Sequence, residues 1–257
     1  MLSAEPKDRS RFEFFRHKII TFVKPGNMNS MKQTIRLLLV ILIAAGGTHL
    51  FAQKSISLGL KIAPNLAWMN PGEKEYKFNG VAIGASFGFV SDFFFSPHYG
   101  LSTGFTFSFL NGNLTFPYAS APDTGTMNRK YNFSYLEIPV MVKMKTKEYG
   151  RFSFYAQIGF GTGFRLKVQA HDEFITGSHG TLTDKSNLSS DETTLIRKAI
   201  LVGIGTEVKL DESFRLTLGL NYSNTLNNVL KGNNTKDPDL ENRSSLNFAE
   251  LSIGVLF

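Results

Sequence analysis

The sequence predicts an all-β protein, an eight-stranded antiparallel transmembrane up-and-down β-barrel. Three observations predict it. Segments of ten or so residues alternate apolar and polar positions, which is the period of a half-buried strand. The connections between them alternate between short and long. The glycines of the segments gather on the face opposite the apolar one.

The segments run in order from Ser55 onward, and no stretch of useful length has helical periodicity. Ile56, Leu58, Leu60 and Ile62 mark the first, and Val81, Ile83, Ala85, Phe87 and Phe89 the second. Tyr99, Leu101, Thr103, Phe105, Phe107 and Phe109 mark the third. Leu136, Ile138, Val140, Val142 and Met144 mark the fourth. The fifth carries Phe152, Phe154, Ile158, Phe160 and Phe164 and runs to Val168. Ile200, Val202, Ile204, Val208 and Leu210 form the sixth, and Phe214, Leu216, Leu218, Leu220 and Tyr222 the seventh. Ala249, Leu251, Ile253, Val255 and Phe257 close the series. Connections 91–97, 145–150 and 211–213 are short, whereas 69–79, 111–130, 170–194 and 224–245 are long and polar. Short periplasmic turns, long outer loops and an even strand count are the marks of an outer-membrane barrel.

The glycines settle which face looks where. Glycine weakens a strand and offers nothing to pack. Yet Gly59, Gly84, Gly88, Gly100, Gly104, Gly159, Gly161, Gly163, Gly203, Gly205, Gly219 and Gly254 all fall on the polar parity. Side chains alone fill the interior of an eight-stranded barrel. Glycine at some inward positions therefore makes room for long side chains at others. The same parity carries Lys61, Glu137, Lys143, Gln157, Arg165, Lys167, Arg197, Glu207, Lys209, Arg215 and Glu250. A lumen charge network is expected from Lys61, Glu137, Lys143, Arg165, Arg197, Glu207, Arg215 and Glu250, with the charges satisfying one another. A narrow gated conductance is the alternative arrangement for such a face.

The apolar parity is almost free of charge, as a lipid-facing surface must be: Lys or Arg near the bilayer midplane costs about 2–4 kcal/mol. Lys198 is the exception and falls near the outer rim. Trp68, Tyr131, Tyr135 and Tyr222 near the outer ends, and Phe93–Phe95 and Tyr149 near the inner turns, suit aromatic girdles. A soluble lipocalin-type barrel would turn the same strands inside out and leave its glycines on the surface. Pro139 and the uncertain parity of Tyr131–Tyr135 predict a β-bulge in the fourth strand.

MKQTIRLLLVILIAAGGTHLFAQ opens at Met31 with Lys32 and Arg36 before a short apolar run. A small-residue site follows, with Ala52 before Gln53, which is the pattern of a secretory signal peptide over residues 31–52. Residues 1–30 are expected to be a mis-assigned start or a disordered extension, and 53–257 the barrel. Of the 28 Lys and Arg residues, eight fall in residues 1–52, against three of the 21 Asp and Glu. The mature chain is therefore close to neutral and carries no basic stripe, so no nucleic-acid partner is expected.

Catalytic and metal chemistry finds little support. There is no cysteine, so no thiolate metal site or redox pair exists. Gly159-Phe-Gly161-Thr-Gly163 lacks the spacing, and the following helix, of a phosphate-binding loop. His17 and His49 precede the barrel and His98 lies at an inner turn. His171 and His179 sit in a long loop near Asp172, Glu173 and Ser178, the basis for a rim enzyme as a third hypothesis. No catalytic residue, metal or cofactor is expected.

YLEIPVMVK (Tyr135–Lys143), FSFYAQIGFGTGF, LTLGLNYSNTLNNV and a closing strand ending in Phe257 resemble the PorT-like outer-membrane β-barrel proteins of Bacteroidetes over Gln53–Phe257. The resemblance implies residence in the outer membrane and no catalytic residues. Through the family's named member it also implies a link to type IX protein secretion. The expected function is thus a non-enzymatic structural or accessory barrel, with a small-solute or ion-conducting pore as the alternative. Expected partners are outer-membrane lipid and lipopolysaccharide, barrel-assembly machinery that reads the terminal Phe257, and secretion-system proteins.

Overall fold

A computed structural model describes residues 56–120, 123–176, 180–189 and 191–257. The expected extension 1–30, the signal segment 31–52, His17, His49 and His179 lie outside the described residues. Eight strands close into a ring: β1 (Ile56–Pro71), β3 (Ala82–Ser96), β4 (Tyr99–Ser120), β5 (Asp123–Lys145), β6 (Phe152–Thr176), β8 (Ile196–Lys209), β9 (Arg215–Thr225) and β10 (Ser244–Leu256). Each pairs antiparallel with its sequence neighbour in the ring, and β10 returns to β1. Leu58 and Phe257 exchange both backbone hydrogen bonds at the seam, at 3.0 and 2.7 Å. β2 (Lys77–Phe78) and β7 (Gly180–Asn187) stand outside the ring, paired to β4 and β6.

The turns at one end are tight for stated reasons. Asp211 Oδ1 accepts hydrogen bonds from the Ser213 and Phe214 amides at 2.7 and 2.8 Å, closing the β8–β9 connection. In the β5–β6 turn Gly150 takes a φ of +63°, a conformation that side chains rarely adopt.

Alternation places the apolar residues on the outside. Ile83 is 75 % exposed and Phe160 66 %, and comparable Leu, Ile, Val and Phe side chains circle all eight strands. A protein in water rarely exposes an apolar patch beyond a few hundred Å², whereas a bilayer requires such a belt. Trp68 and Tyr222 stack at its outer margin, centroids 6.1 Å apart. Lys198 is exposed on this outer face. Its long stem lets the ammonium reach toward the headgroups.

Three expectations need correction. First, 111–120, 123–130, 170–176 and 180–187 are strand, not loop: β4, β5 and β6 have 22, 23 and 25 residues, about twice the 9–11 that cross a bilayer. Second, Tyr131 and Tyr135 do not belong to the outer girdle; they point inward, at 3 % and 1 % exposure. The reason is a polarity inversion at the membrane edge. Within the belt the outward face meets hydrocarbon, so Phe105, Phe107 and Phe109 point out. Beyond it that face meets water, so Leu110, Leu114 and Phe116 of the same strand point in. Third, the bulge lies on β6 and not on β5. Tyr135 pairs with Arg165 and Ser134 with Lys167, leaving Leu166 as the extra residue. This exchanges faces, so Lys167 is exposed outside and Val168 is buried inside. Pro139 stays in register, its carbonyl accepting the Thr103 hydroxyl at 2.8 Å.

Candidate functional site: the barrel lumen

The lumen has two storeys. The one nearer the short turns is polar. Lys143 Nζ lies 2.5 Å from Asp92 Oδ2 and 2.7 Å from Glu207 Oε1, the latter contact an ion pair off the hydrogen-bond direction. Lys145 Nζ donates to Glu207 Oε2 at 2.6 Å, and the Ser102 hydroxyl to Asp92 Oδ1 at 2.5 Å. Tyr155 lies beneath Lys143, whose ammonium is 4.4 Å from the ring centre. Across the lumen Lys61 Nζ donates to Glu250 Oε1 at 2.8 Å, and the Asn221 amide reaches the same oxygen at 3.2 Å. Higher up, Arg197 donates to Glu137 Oε1 and Ser223 Oγ, both at 2.6 Å, and to the Leu246 carbonyl at 3.2 Å. Ser108 Oγ completes Glu137 at 2.8 Å.

The buried Lys143 and Arg197 and the partly buried Lys61 and Lys145 each therefore meet a buried carboxylate, drawn from Asp92, Glu137, Glu207 and Glu250. Glycine supplies the room. A Cβ on Gly205 or Gly219 would fall 2.5 or 2.4 Å from the Tyr155 hydroxyl. Between the pairs remains a cavity of about 90 Å³, lined by Lys61, Asp92, Glu137, Arg197 and Glu250 among others. It has room for several water molecules.

The upper storey is apolar. Met69, Leu110, Leu114, Phe133, Tyr135 and Leu246 are each at most 1 % exposed and pack in one cluster across the bore. Tyr131, Phe133 and Tyr135 form an aromatic ladder with 5.8 Å between successive centroids. The segment after β9 folds inward over the mouth and contributes Val229, Leu230 and Leu240 to the same cluster. Tyr76, following β1, stacks on Phe116 at 4.9 Å and binds Asn242 and Asn234 through its hydroxyl. Burial there pushes its phenol above the ordinary value. Arg129 and Asp172 clamp the extended β5–β6 wall through two 2.6 Å hydrogen bonds.

Six of the eight residues named from sequence enter these lumen pairs: Lys61, Glu137, Lys143, Arg197, Glu207 and Glu250. Arg165 and Arg215 do not. Arg165 sits at the outer end, where it binds the Ser189 and Thr193 carbonyls and the Thr193 hydroxyl of the following loop. Arg215 lies at the opposite rim with Glu148, 3.4 Å away and partly exposed. Asp92 and Lys145 are the members that sequence reading missed. Both continue the inward parity of their strands, within the 91–97 and 145–150 segments whose composition reads as turn.

His171 and Asp172, as successive strand residues, point to opposite faces. Asp172 is taken by Arg129, and His171 shares its row with Lys130 and Lys185. His98 Nδ1 bonds the Lys145 carbonyl at 3.0 Å in a short turn. Among the described residues no group of His, Asp and Glu is placed to hold a metal ion.

Solved outer-membrane barrels are similar in structure. Neisserial surface protein A shares 13 % identity at a TM-score of 0.44, over 78 % of this chain and 95 % of that one. Ail of Yersinia pestis, solved in complex with the heparin analogue sucrose octasulfate, shares 14 % at 0.37, over 79 % and 99 %. The outer-membrane protease OmpT of Escherichia coli shares 11 % at 0.37, over 82 % and 99 %. No curated protein matches. The model of one family, described as outer membrane protein beta-barrel domain, matches residues 51–231. With a closed eight-stranded ring, an unbroken apolar belt and that match, the chain belongs to the outer-membrane β-barrel domain family.

Proposed function

We propose that this protein is a closed, non-enzymatic barrel with a structural or accessory role in the outer membrane, and not a pore. The observation that carries this reading is the apolar upper storey: Met69, Leu110, Leu114, Phe133 and Leu246 meet across the bore, and the polar storey beneath them is neutralised pair by pair. An ion crossing here would shed its hydration among apolar side chains, where Arg129 and Asp172, and Tyr76 and Asn234, are already bound to each other. The tall β4–β5–β6 wall and the β7 strand project beyond the belt and supply surface for partners. The resemblance of Tyr135–Lys143 to PorT-like proteins directs that accessory role toward protein export, with secretion-system proteins as the partners. Barrel-assembly machinery is the partner proposed for the strand ending at Phe257, and outer-membrane lipid and lipopolysaccharide for the belt.

Planar-bilayer recording of the refolded chain tests closure. The expected trace is silent, and a steady open conductance would establish the pore reading instead. Deletion followed by comparison of secreted proteins tests the export role. A secretion defect restored by the wild-type gene is expected, and an unchanged set of secreted proteins removes that assignment.

A further inference from the structure

Lys130, His171 and Lys185 occupy one register row across β5, β6 and β7. All three point away from the bore, since their neighbours Arg129 and Asp172 meet on the other face. Lys130 and Lys185 are exposed and His171 partly so. The next outward row toward the belt holds Asn132, Gln169 and Asn187, with Gln169 Nε2 donating to Asn187 Oδ1 at 3.2 Å. The row after that brings Lys167 beside Ser134. Lys167 reaches the outer face because of the Leu166 bulge. Immediately below lie Leu166, 57 % exposed, and Phe164, 36 % exposed, at the margin of the belt.

Strand spacing of about 4.8 Å and a rise of about 3.3 Å per residue put the three lysines within roughly 10 by 13 Å. Among the described residues none of Lys130, Lys167 and Lys185 is held in an ion pair. The acid on this face is Glu173, one row farther from the membrane, where Asn128 Nδ2 donates to it at 3.4 Å.

We infer that this strip binds the phosphorylated headgroup of an outer-leaflet glycolipid, an inference that rests on the outer-membrane reading. The order of chemistries along the wall is that of such a lipid. Apolar side chains at Leu166 and Phe164 meet acyl chains. Amides at Asn132, Gln169 and Asn187 meet the sugar and its amide links. The lysines meet phosphate. An acidic protein would find the same charges but would have no use for the apolar margin with which they are continuous. Fixing one anionic lipid at this place also covers the outward face of the tall wall where it leaves the membrane.

The test uses the full chain refolded into phosphatidylcholine nanodiscs, with diphosphorylated lipid A as probe and retained lipid counted by native mass spectrometry. The variant K130Q/K167Q/K185Q is compared with K74Q/K147Q/K231Q, which removes the same charge elsewhere. Each lysine near a charged headgroup is worth about fivefold in affinity. Retention by the first variant should therefore fall tenfold or more, while the second stays near wild type. Dephosphorylated lipid A should bind no better to wild type than to the first variant, and phosphatidylglycerol at equal charge should not displace lipid A. Equal retention by both variants, equal binding of the dephosphorylated lipid, or displacement by phosphatidylglycerol would each overturn the assignment. A wild-type chain that does not enter nanodiscs as a heat-modifiable barrel fails the membrane reading itself. A wild-type chain that enters and retains no lipid A fails only the site.

Discussion

Replacing Arg197 with methionine removes the most connected side chain in the lumen while keeping most of its length. Arg197 is 2 % exposed and holds Glu137, Ser223 and the Leu246 carbonyl at once, while its guanidinium lies 5.1 Å from the centre of the Phe248 ring. In Arg197→Met, Glu137 keeps only Ser108 as a donor and stays buried at 9 % exposure. Removing one partner of a buried ion pair costs about 3–5 kcal/mol, most of it the stranded charge. Methionine restores the apolar contact with Phe248, so the lower end, about 3 kcal/mol, is expected. Arg197→Met/Glu137→Gln removes the stranded charge and should recover at least half of the loss. The assay is urea unfolding from lipid vesicles, followed by fluorescence of Trp68, the single tryptophan, which sits at the outer girdle and stacks on Tyr222. A loss below about 1 kcal/mol, or a double variant no more stable than the single one, would refute the idea that the lumen charges are bound to one another.

Two further outcomes follow from the same geometry. Gly219→Ala should destabilise by about 1–3 kcal/mol through overpacking, because its Cβ would lie 2.4 Å from the Tyr155 hydroxyl and 2.8 Å from Ser252 Oγ; Tyr155→Leu in the same chain should return much of the loss in the same unfolding assay. The cap at the mouth should loosen in alkali. Burial raises the Tyr76 phenol, so the stabilisation from its neutral hydroxyl is fully present below the ordinary value near 10 and is lost as pH rises through the higher folded value. Protection of residues 229–242, taken as hydrogen exchange relative to the intrinsic base-catalysed rate, should fall over that window in wild type, and Tyr76→Phe should show low protection already at pH 8.

The eight membrane-crossing segments and their two faces were legible in the sequence because a bilayer imposes one strict rule, apolar out, on every second residue. Glycine parity was the stronger half of that signal: Gly159, Gly205 and Gly219 occupy places where a side chain would meet Val140, Leu218 or Tyr155. The extended wall was not legible, since the rule reverses beyond the membrane. Leu110, Leu114 and Phe116 follow Phe105, Phe107 and Phe109 on opposite parity with no bulge in β4. In β5 the same reversal, from Val140 and Ile138 outside to Tyr135, Phe133 and Tyr131 inside, imitates a register slip. The true slip at Leu166 falls where polar residues flank it and leaves no hydrophobic signature. Asp92 and Lys145 were lost for a simpler reason: charges near a turn read as turn residues unless the inward parity is carried through to the strand end. The unequal fates of Arg165 and Arg215 depend on height in the barrel, which alternation does not encode.

The orientation of the two faces, apolar to lipid and polar to the bore, is open to direct measurement. The chain contains no cysteine, so single cysteines placed at Phe160, Leu218 and Thr217 report alone when spin-labelled in lipid vesicles. Labels at Phe160 and Leu218 should collide with dissolved oxygen in the hydrocarbon and be shielded from a water-soluble nickel complex. The label at the inward Thr217 should be shielded from lipid. Nickel access at Phe160 and Leu218, with lipid contact at Thr217, would contradict it.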